Sequence, residues 1–261
     1  MTDTAAKPAV LVTGGARRIG AEIIRRFAAE GWRCVIHHKA SHADAEALAA
    51  EIEAAGGEAA LVRFDLADPA AIEAGLAEAF AAAPGLAALV NCASVFEYDA
   101  PLAPSAEVWR ESLTVNTLAP VLLAAGFHRR LADGTVGAVI NILDQKLNNL
   151  NPDYFSYTVS KAALQAASQI MAQALAPGTR VVNIAPGLIL PSADQTDDEF
   201  ARAAAMNALQ RHTSAREVAD AVFFAATSPY LTGQTLYADS GQSLTAQPRD
   251  VMFIVREDGG A

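Results

Sequence analysis

The stretch Ala9-Val10-Leu11-Val12-Thr13-Gly14-Gly15-Ala16-Arg17-Arg18-Ile19-Gly20 decides the fold. Its first five residues form an apolar run of strand length. Two glycines follow, which let the chain turn sharply and bring its backbone close to a ligand. From Ile19 the apolar residues recur with helical spacing as far as residue 30, so the segment reads as strand, tight turn and helix. Such a junction directs free N–H groups and the positive end of a helix dipole at one point, a natural seat for a phosphate.

The same unit repeats along the chain. Strands are predicted over residues 9–13, 33–37, 59–64, 86–91, 136–143, 179–184 and 235–238, and helices over 19–30, 43–55, 69–82, 106–129, 154–175, 198–209 and 214–226. Asp68 and Pro69 read as the N-cap and first residue of the third helix. Repeated units of this length build a parallel sheet covered by helices on both faces, wound by right-handed crossovers. The expectation is an α/β protein: a single doubly wound Rossmann-type domain over residues 1–261, with a central parallel sheet of about seven strands.

Composition narrows the function classes. Apolar residues make up 52% of 261, enough for one sizeable core. Nineteen basic against 29 acidic residues give a net charge of −10, which repels a polyanion, so no nucleic-acid partner is expected. Residues 1–8 carry no secretory signal pattern, and no apolar stretch approaches the ~20 residues of a membrane helix, so a cytoplasmic protein without membrane contact is expected. Cys34 and Cys92 form no CxxC and read as reduced core thiols, with no metal site. GxxxxGK[ST], HExxH and GxSxG are all absent, which sets aside a nucleoside triphosphatase, a zinc hydrolase and a serine esterase.

The end of the second strand selects the cofactor. A carboxylate there binds the ribose hydroxyls of NAD. This chain has His37-His38-Lys39 instead, with Arg17 and Arg18 in the first turn. Positive groups on both edges suit a 2′-phosphate, and NADP(H) is the predicted cofactor. His37, His38 and His42 read as surface or phosphate-side groups. Further on, Tyr157 and Lys161 stand four apart on a predicted helix and share a face. An ammonium about 4 Å from the phenol, at an effective dielectric near 20, is worth ~4 kcal/mol, or about three pKa units. Lys161 is therefore expected to bring Tyr157 into the range of proton exchange near neutral pH.

Taken together, the turn from Thr13 to Gly20, Asp65-Leu66, Asn91-Cys92-Ala93-Ser94, Asn116, Tyr157 with Lys161, Pro186-Gly187 and Thr232-Gly233-Gln234 resemble the short-chain dehydrogenase/reductase family. The resemblance spans about residues 8–244. It implies that Gly14, Arg17, Arg18, Ile19, Gly20, His38, Lys39 and Leu66 belong to the cofactor site, and that Asp65 holds the adenine amino group. It places Asn91, Ala93 and Ser94 beside the nicotinamide ribose, and Pro186, Gly187 and Leu188 near the carboxamide. Tyr157 is implied as proton donor, Lys161 as its tuning and ribose-binding partner, and Asn116 as holder of a relay water.

Three positions depart from the common family pattern. Arg18 stands where a glycine is usual, Ser94 follows Ala93 where the usual pair is Ala-Gly, and Asp144 stands thirteen residues before Tyr157 in place of the catalytic serine. With His38-Lys39-Ala40 and Ala93-Ser94-Val95-Phe96, these departures are similar to the pteridine reductase and dihydromonapterin reductase branch. The implied substrate site is Arg18, Ser94, Phe96, Asp144 and Tyr157. Phe96 is suited to stack a flat pterin against the nicotinamide, or serves as a core aromatic. Asp144 is suited to accept from the pterin's amino group and share in proton transfer, or else orients Tyr157 or caps its loop.

The expected reaction is hydride transfer from NADPH to a dihydropterin of the monapterin, biopterin or folate type. The alternatives are a general NADPH-dependent reductase of 3-oxoacyl thioesters or ketones, and a non-catalytic NADP(H) sensor. Residues 188–210 are expected to close over substrate, with Asp194, Asp197 and Asp198 solvated. The tail, 245–261, exceeds the usual family ending, and its apolar run at 251–255 reads as a packing strand or subunit contact. Small residues Ala162, Ala163, Ala166 and Ala167 suggest a homotetramer built through the two long helices.

Overall fold

The computed structural model describes residues 7–191 and 195–258. Seven strands form one sheet: β1 (Ala9–Thr13), β2 (Arg33–His38), β3 (Glu58–Arg63), β4 (Leu86–Asn91), β5 (Gly137–Ile142), β6 (Thr179–Pro186) and β7 (Thr235–Ala238). All neighbours are parallel, in the order β3-β2-β1-β4-β5-β6-β7. The order reverses between β1 and β4, where a doubly wound sheet opens a crevice at its carboxyl edge.

Period-two alternation divides the strand side chains between two cores. Val10, Val12, Ile36, Val90, Ile140 and Val182 point to one face, covered by α1 (Arg18–Ala29), α2 (His42–Ala54) and α8 (Ala215–Thr227). Leu11, Val35, Leu89, Val139 and Val181 point to the other, covered by α3 (Pro69–Ala82), α5 (Ala119–Arg130) and α6 (Phe155–Ala174). With both faces covered, β1 is buried along its whole length, which is why its sequence shows no polar alternation.

Four predicted elements change. The helix expected over 106–129 is α4 (Ala106–Leu113), a π-helical segment Thr114–Leu118 and α5. A π segment keeps the helix continuous while rotating its side chains, and here it carries Asn116. Tyr154 lies outside α6, as an N-cap at φ 53°. The helix expected over 198–209 is the shorter α7 (Asp197–Ala204), whose Thr196 and Glu199 form a capping box. The apolar run at 251–255 is not a strand but the start of a helix, α9 (Val251–Asp258). Val251, Met252 and Val255, at positions i, i+1 and i+4, bury one helical face, which a strand of the same sequence would have split between two. Asp194 lies outside the described residues; Asp197 and Asp198 are exposed. No helix among the described residues is long and apolar enough to cross a membrane.

Candidate active site

A cleft of about 750 Å³ opens at the carboxyl edge of β1, β4, β5 and β6. A row of polar side chains levels these strand ends. Thr13, Asn91, Asn141, Asn183 and Thr235 occupy equivalent registers on five adjacent strands. Asn91 donates to Asn141 (2.8 Å), and Asn141 donates to Ser168 on α6 (2.9 Å). Thr13 Oγ1 accepts from the backbone N–H groups of Cys92 and Ala93 (3.0 and 3.2 Å). Asn91 therefore acts in the sheet, and its side chain is withdrawn from the cleft.

One end of the cleft is mostly backbone. Gly14 sits at φ 63°, and a Cβ there would come within 3.1 Å of Ala93 Cα. A Cβ on Gly20 would reach to 2.2 Å from Gly14's carbonyl oxygen, so only glycine closes this turn. α1 begins here without a side-chain cap and without an acid in its first turn, and Arg17, Arg18, Ile19 and Gly20 line the cleft. Unpartnered helical N–H groups with no competing carboxylate suit a diphosphate.

His37, expected at the surface or on the phosphate side, is 2% exposed and lies behind the glycine turn. Its Nδ1 accepts from Gly14 N–H (3.0 Å), and its Nε2 lies 3.1 Å from Phe64's carbonyl. The first bond requires Nδ1 unprotonated, so the proton sits on Nε2. Burial pushes the imidazole down to about 4. His38 is also buried, with Nε2 3.2 Å from His42 Nδ1. Both histidines face inward because β2 is covered on both sides.

At the mouth of this end Arg17 pairs with Asp44 (2.5 Å) and Lys39 with Asp65 (2.8 Å). Asp65 Oδ1 accepts from Ala67 N–H (2.9 Å). Both ion pairs are largely solvent-exposed, worth ~0–1 kcal/mol, and a phosphate readily displaces such a partner. Leu66 is buried in the second core. His38, Lys39, Asp65 and Leu66 lie outside the cleft's own lining.

The other end is built of side chains. Tyr157 donates its phenolic O–H to Asp144 Oδ2 (2.9 Å), while Asp144 Oδ1 accepts from Lys146 N–H (2.8 Å) and caps a 3-10 turn, Gln145–Asn148. The orienting and capping roles set beside substrate binding for Asp144 are thus both present. The expected effect of Lys161 on Tyr157 is not. Lys161 Nζ donates to Ile142's carbonyl (2.8 Å) and lies 5.7 Å from the Tyr157 ring. Burial and the adjacent carboxylate push Tyr157 up, not down. Burial likewise raises Asp144, and it lowers Lys161 to about 8. Asp144 and Tyr157 are therefore joined by one hydrogen bond and are both shifted toward their protonated forms.

Asn116 does not face the cleft. Its Oδ1 accepts from Val95 N–H (2.8 Å) and Ser94 Oγ (3.1 Å), and its Nδ2 donates to Val95's carbonyl and Ser160 Oγ. The side chain ties the loop after β4 to α6 and has no bond left for a relay water. Phe96, at 44% exposure, is no core aromatic. It stacks on Tyr154 (4.1 Å, 17°) and meets Tyr157 edge-on (4.7 Å). Arg18 lines the cleft at φ 51°, where the usual glycine would be unstrained. Gly187 and Leu188 are placed by Gln242, whose Oε1 accepts from Leu188 N–H (2.8 Å). Pro186, Ala93 and Ser94 belong to the lining, as does Cys92, read as a core thiol.

Several contributors had no sequence signal. Asp99 is buried, and its carboxylate accepts from Ser156 N–H (2.8 Å) and Ser156 Oγ (2.5 Å), pinning the N-terminus of α6 beside the cleft. Tyr154 packs against Phe96, Tyr98 and Phe253, the last from α9. Met252 joins Tyr154 and Tyr157 in one buried cluster.

The chain matches the model of the short chain dehydrogenase family over residues 8–201. It is 31% identical to pteridine reductase 1 of Leishmania tarentolae, covering 94% of this chain and 99% of that protein. It is 30% identical to 3-oxoacyl-[acyl-carrier-protein] reductase of a Synechocystis strain, covering 88% and 95%. Among solved structures it superposes on FolM alternative dihydrofolate reductase 1 from Brucella canis, complexed with NADP, with a TM-score of 0.86 and 37% identity over 92% of this chain and 96% of that one.

Proposed function

The chain belongs to the short chain dehydrogenase family, as an NADP-dependent oxidoreductase, and from that premise we propose that it reduces a dihydropterin to the tetrahydro form. The observation that carries this reading is the pairing of Asp144 with Tyr157 beneath the exposed face of Phe96. A carbonyl substrate needs a donor to its oxygen at residue 144. A pterin presents amino and ring N–H groups, which a carboxylate accepts and a serine serves less well.

The cofactor's fit rests on the glycine turn, the uncapped start of α1 and the absence of an acid there. Gly14, Arg17, Arg18, Ile19 and Gly20 would hold its diphosphate, and Lys39 with His38 its 2′-phosphate. Asp65 and Leu66 would border the adenine. Ala93, Ser94, Tyr157 and Lys161 would face the nicotinamide ribose, with Asn91 setting their height from within the sheet. Pro186, Gly187 and Leu188 would border the carboxamide. When bound, the nicotinamide supplies a hydride.

The protein's own residues do the rest. Phe96 holds the flat heterocycle by offset stacking. Arg18 offers its guanidinium to an acceptor edge of the ring or to a phosphate. The Asp144–Tyr157 pair delivers a proton to the ring nitrogen beside the reduced carbon, and burial, which raises the Asp144 carboxyl above its ordinary range, favours its protonated form. Lys161, anchored on Ile142, contributes positive charge beside the pair, and Asn116 holds the loop that carries Ser94 and Phe96. Closure of residues 188–210 over substrate belongs to the same reading.

The test is NADPH oxidation with dihydromonapterin, dihydrobiopterin and dihydrofolate beside a 3-oxoacyl thioester. Turnover on a dihydropterin, lost by at least about 100-fold in Tyr157→Phe with NADPH binding retained, is expected. Turnover on the thioester alone overturns the substrate, and an active Tyr157→Phe overturns the donor. We also propose a homotetramer: Ala162, Ala166 and Ile170 leave one face of α6 exposed, and Leu118 is exposed at the start of α5. Light scattering on the eluted protein tests it, and a monomeric mass overturns it.

A further inference from the structure

We propose that Lys146 and Asp250 form a charge pair that positions and tunes the Asp144–Tyr157 proton donor, which makes the C-terminal segment part of the catalytic centre. The inference rests on the assignment of Asp144 and Tyr157 made above.

Lys146 stands two residues after Asp144, and its N–H holds Asp144 Oδ1. Its side chain is 5% exposed, a burial that an ammonium rarely accepts. Its Nζ donates to Asp153's carbonyl (2.5 Å), lies 3.8 Å from Asp250 Oδ2 and stands 5.7 Å from the Tyr154 ring. Asp250 immediately precedes α9 and is locked in place from two sides. Its N–H donates to Asp153 Oδ2 (2.8 Å), and its Oδ1 accepts from Met252 N–H (3.1 Å). Arg249 donates to Asp153 Oδ1 (3.2 Å). A small polar cavity of about 30 Å³ lies against Lys146 and Asp250, with room for a water or two.

The charged and titratable groups around Lys146 are thus Asp144 on its own turn, Asp153 and Tyr154 before α6, Tyr157 on α6, and Arg249 and Asp250 from the tail. An anchor alone would be cheaper as an apolar side chain. A charge pair beside a carboxylic acid does more. Lys146 favours the Asp144 carboxylate, while Asp250 disfavours it and disfavours the Tyr157 phenolate. The tail, by docking Asp250 against Lys146, offsets the ammonium and keeps the proton on the donor pair.

Two neutralising substitutions must therefore act in opposite directions. Reduction requires the protonated donor, so its rate falls with pH through the donor's titration. Lys146→Gln is expected to move that alkaline limb up by about one pH unit, and Asp250→Asn to move it down by a similar amount. Asp250→Ser keeps the cap on Met252 N–H without the charge and reproduces the downward shift even if the amide perturbs folding. Lys146→Arg restores the parent profile. NADPH affinity, read by fluorescence, stays within about twofold in all four, since none of these residues touches the glycine turn.

The carboxyl carbon-13 shift of Asp144, assigned by its loss in Asp144→Asn, reports the same titration without any substrate. Shifts of opposite sign in both readouts support the proposal. Shifts of the same sign, or none, overturn it and leave Lys146 and Asp250 as structural anchors. An active Tyr157→Phe overturns the donor assignment instead, so the two failures are separable.

Discussion

At one end of the cleft, a single run from Gly14 to Gly20 forms the wall, with backbone facing inward. At the other, Phe96, Asp144, Tyr154, Tyr157 and Phe253 meet from four separate segments of the chain. The first end binds with groups that every residue possesses, so its specificity lies in where a side chain is forbidden. The second binds with groups that only particular residues possess. A family can therefore keep the first end while its substrate changes at the second, where Ser94 and Asp144 depart from the common pattern.

The contrast breaks most sharply at Gly20. A methyl group there would overlap Gly14's backbone oxygen, which only a backbone shift would relieve. Gly20→Ala is expected to weaken NADPH binding by more than about 100-fold, measured by fluorescence titration. Binding that survives unchanged would mean that the turn is more plastic than its contacts suggest. At the side-chain end, Asp144→Ser restores the residue common in the family. Turnover of dihydropterin should fall by roughly ten- to 100-fold with NADPH affinity intact, and any activity on the 3-oxoacyl thioester should rise. Equal losses on both substrates would remove Asp144 from substrate choice.

His37 ties the backbone end to pH. Its folded pKa lies below the unfolded value, so the unfolded chain binds more protons, and stability is lost as pH falls from 6.5 toward about 4. Over that window the cost is roughly 3 kcal/mol. His37→Gln, which can accept from Gly14 and donate to Phe64 without titrating, should flatten this part of the urea-unfolding profile. A parallel decline in both proteins would assign the acid sensitivity elsewhere.

The smallest effect is expected where the two ends meet. Arg18 holds a left-handed backbone at a cost of about 1 kcal/mol relative to glycine. Arg18→Gly should raise the melting temperature by a few degrees while raising the KM for dihydropterin severalfold. A stabilised variant with unchanged KM would mean that the strain serves no ligand.

The legible parts of the molecule are those with a local cause. Strand β1 and the turn after it could be read because apolar residues and glycines sit side by side. The seven-strand parallel sheet followed from the repeat of β-α units. Asp144, Tyr157 and Phe96 were found through their motif positions, and the structure gathers them at one cleft. Asp99 and Tyr154 stayed hidden, because a buried acid in a loop and a tyrosine before a helix look ordinary until their partners arrive from elsewhere. The tail was misread for a related reason. Val251 to Val255 is apolar enough for strand or helix, and only contact with Tyr154, Tyr157 and α7 decides between them.

The sequence by itself determined the parallel doubly wound sheet, the phosphate-seating turn and the residues that set this chain apart within its family, because each depends on neighbours along the chain. The tertiary structure decided the state of those residues. Four residues of spacing suggested that Lys161 would lower Tyr157. The folded chain instead turns the ammonium to Ile142 and gives the phenol a buried carboxylate. Spacing fixes which groups share a helical face, whereas a pKa depends on burial and on charges from every segment packed around the group, which exist only once the chain has folded.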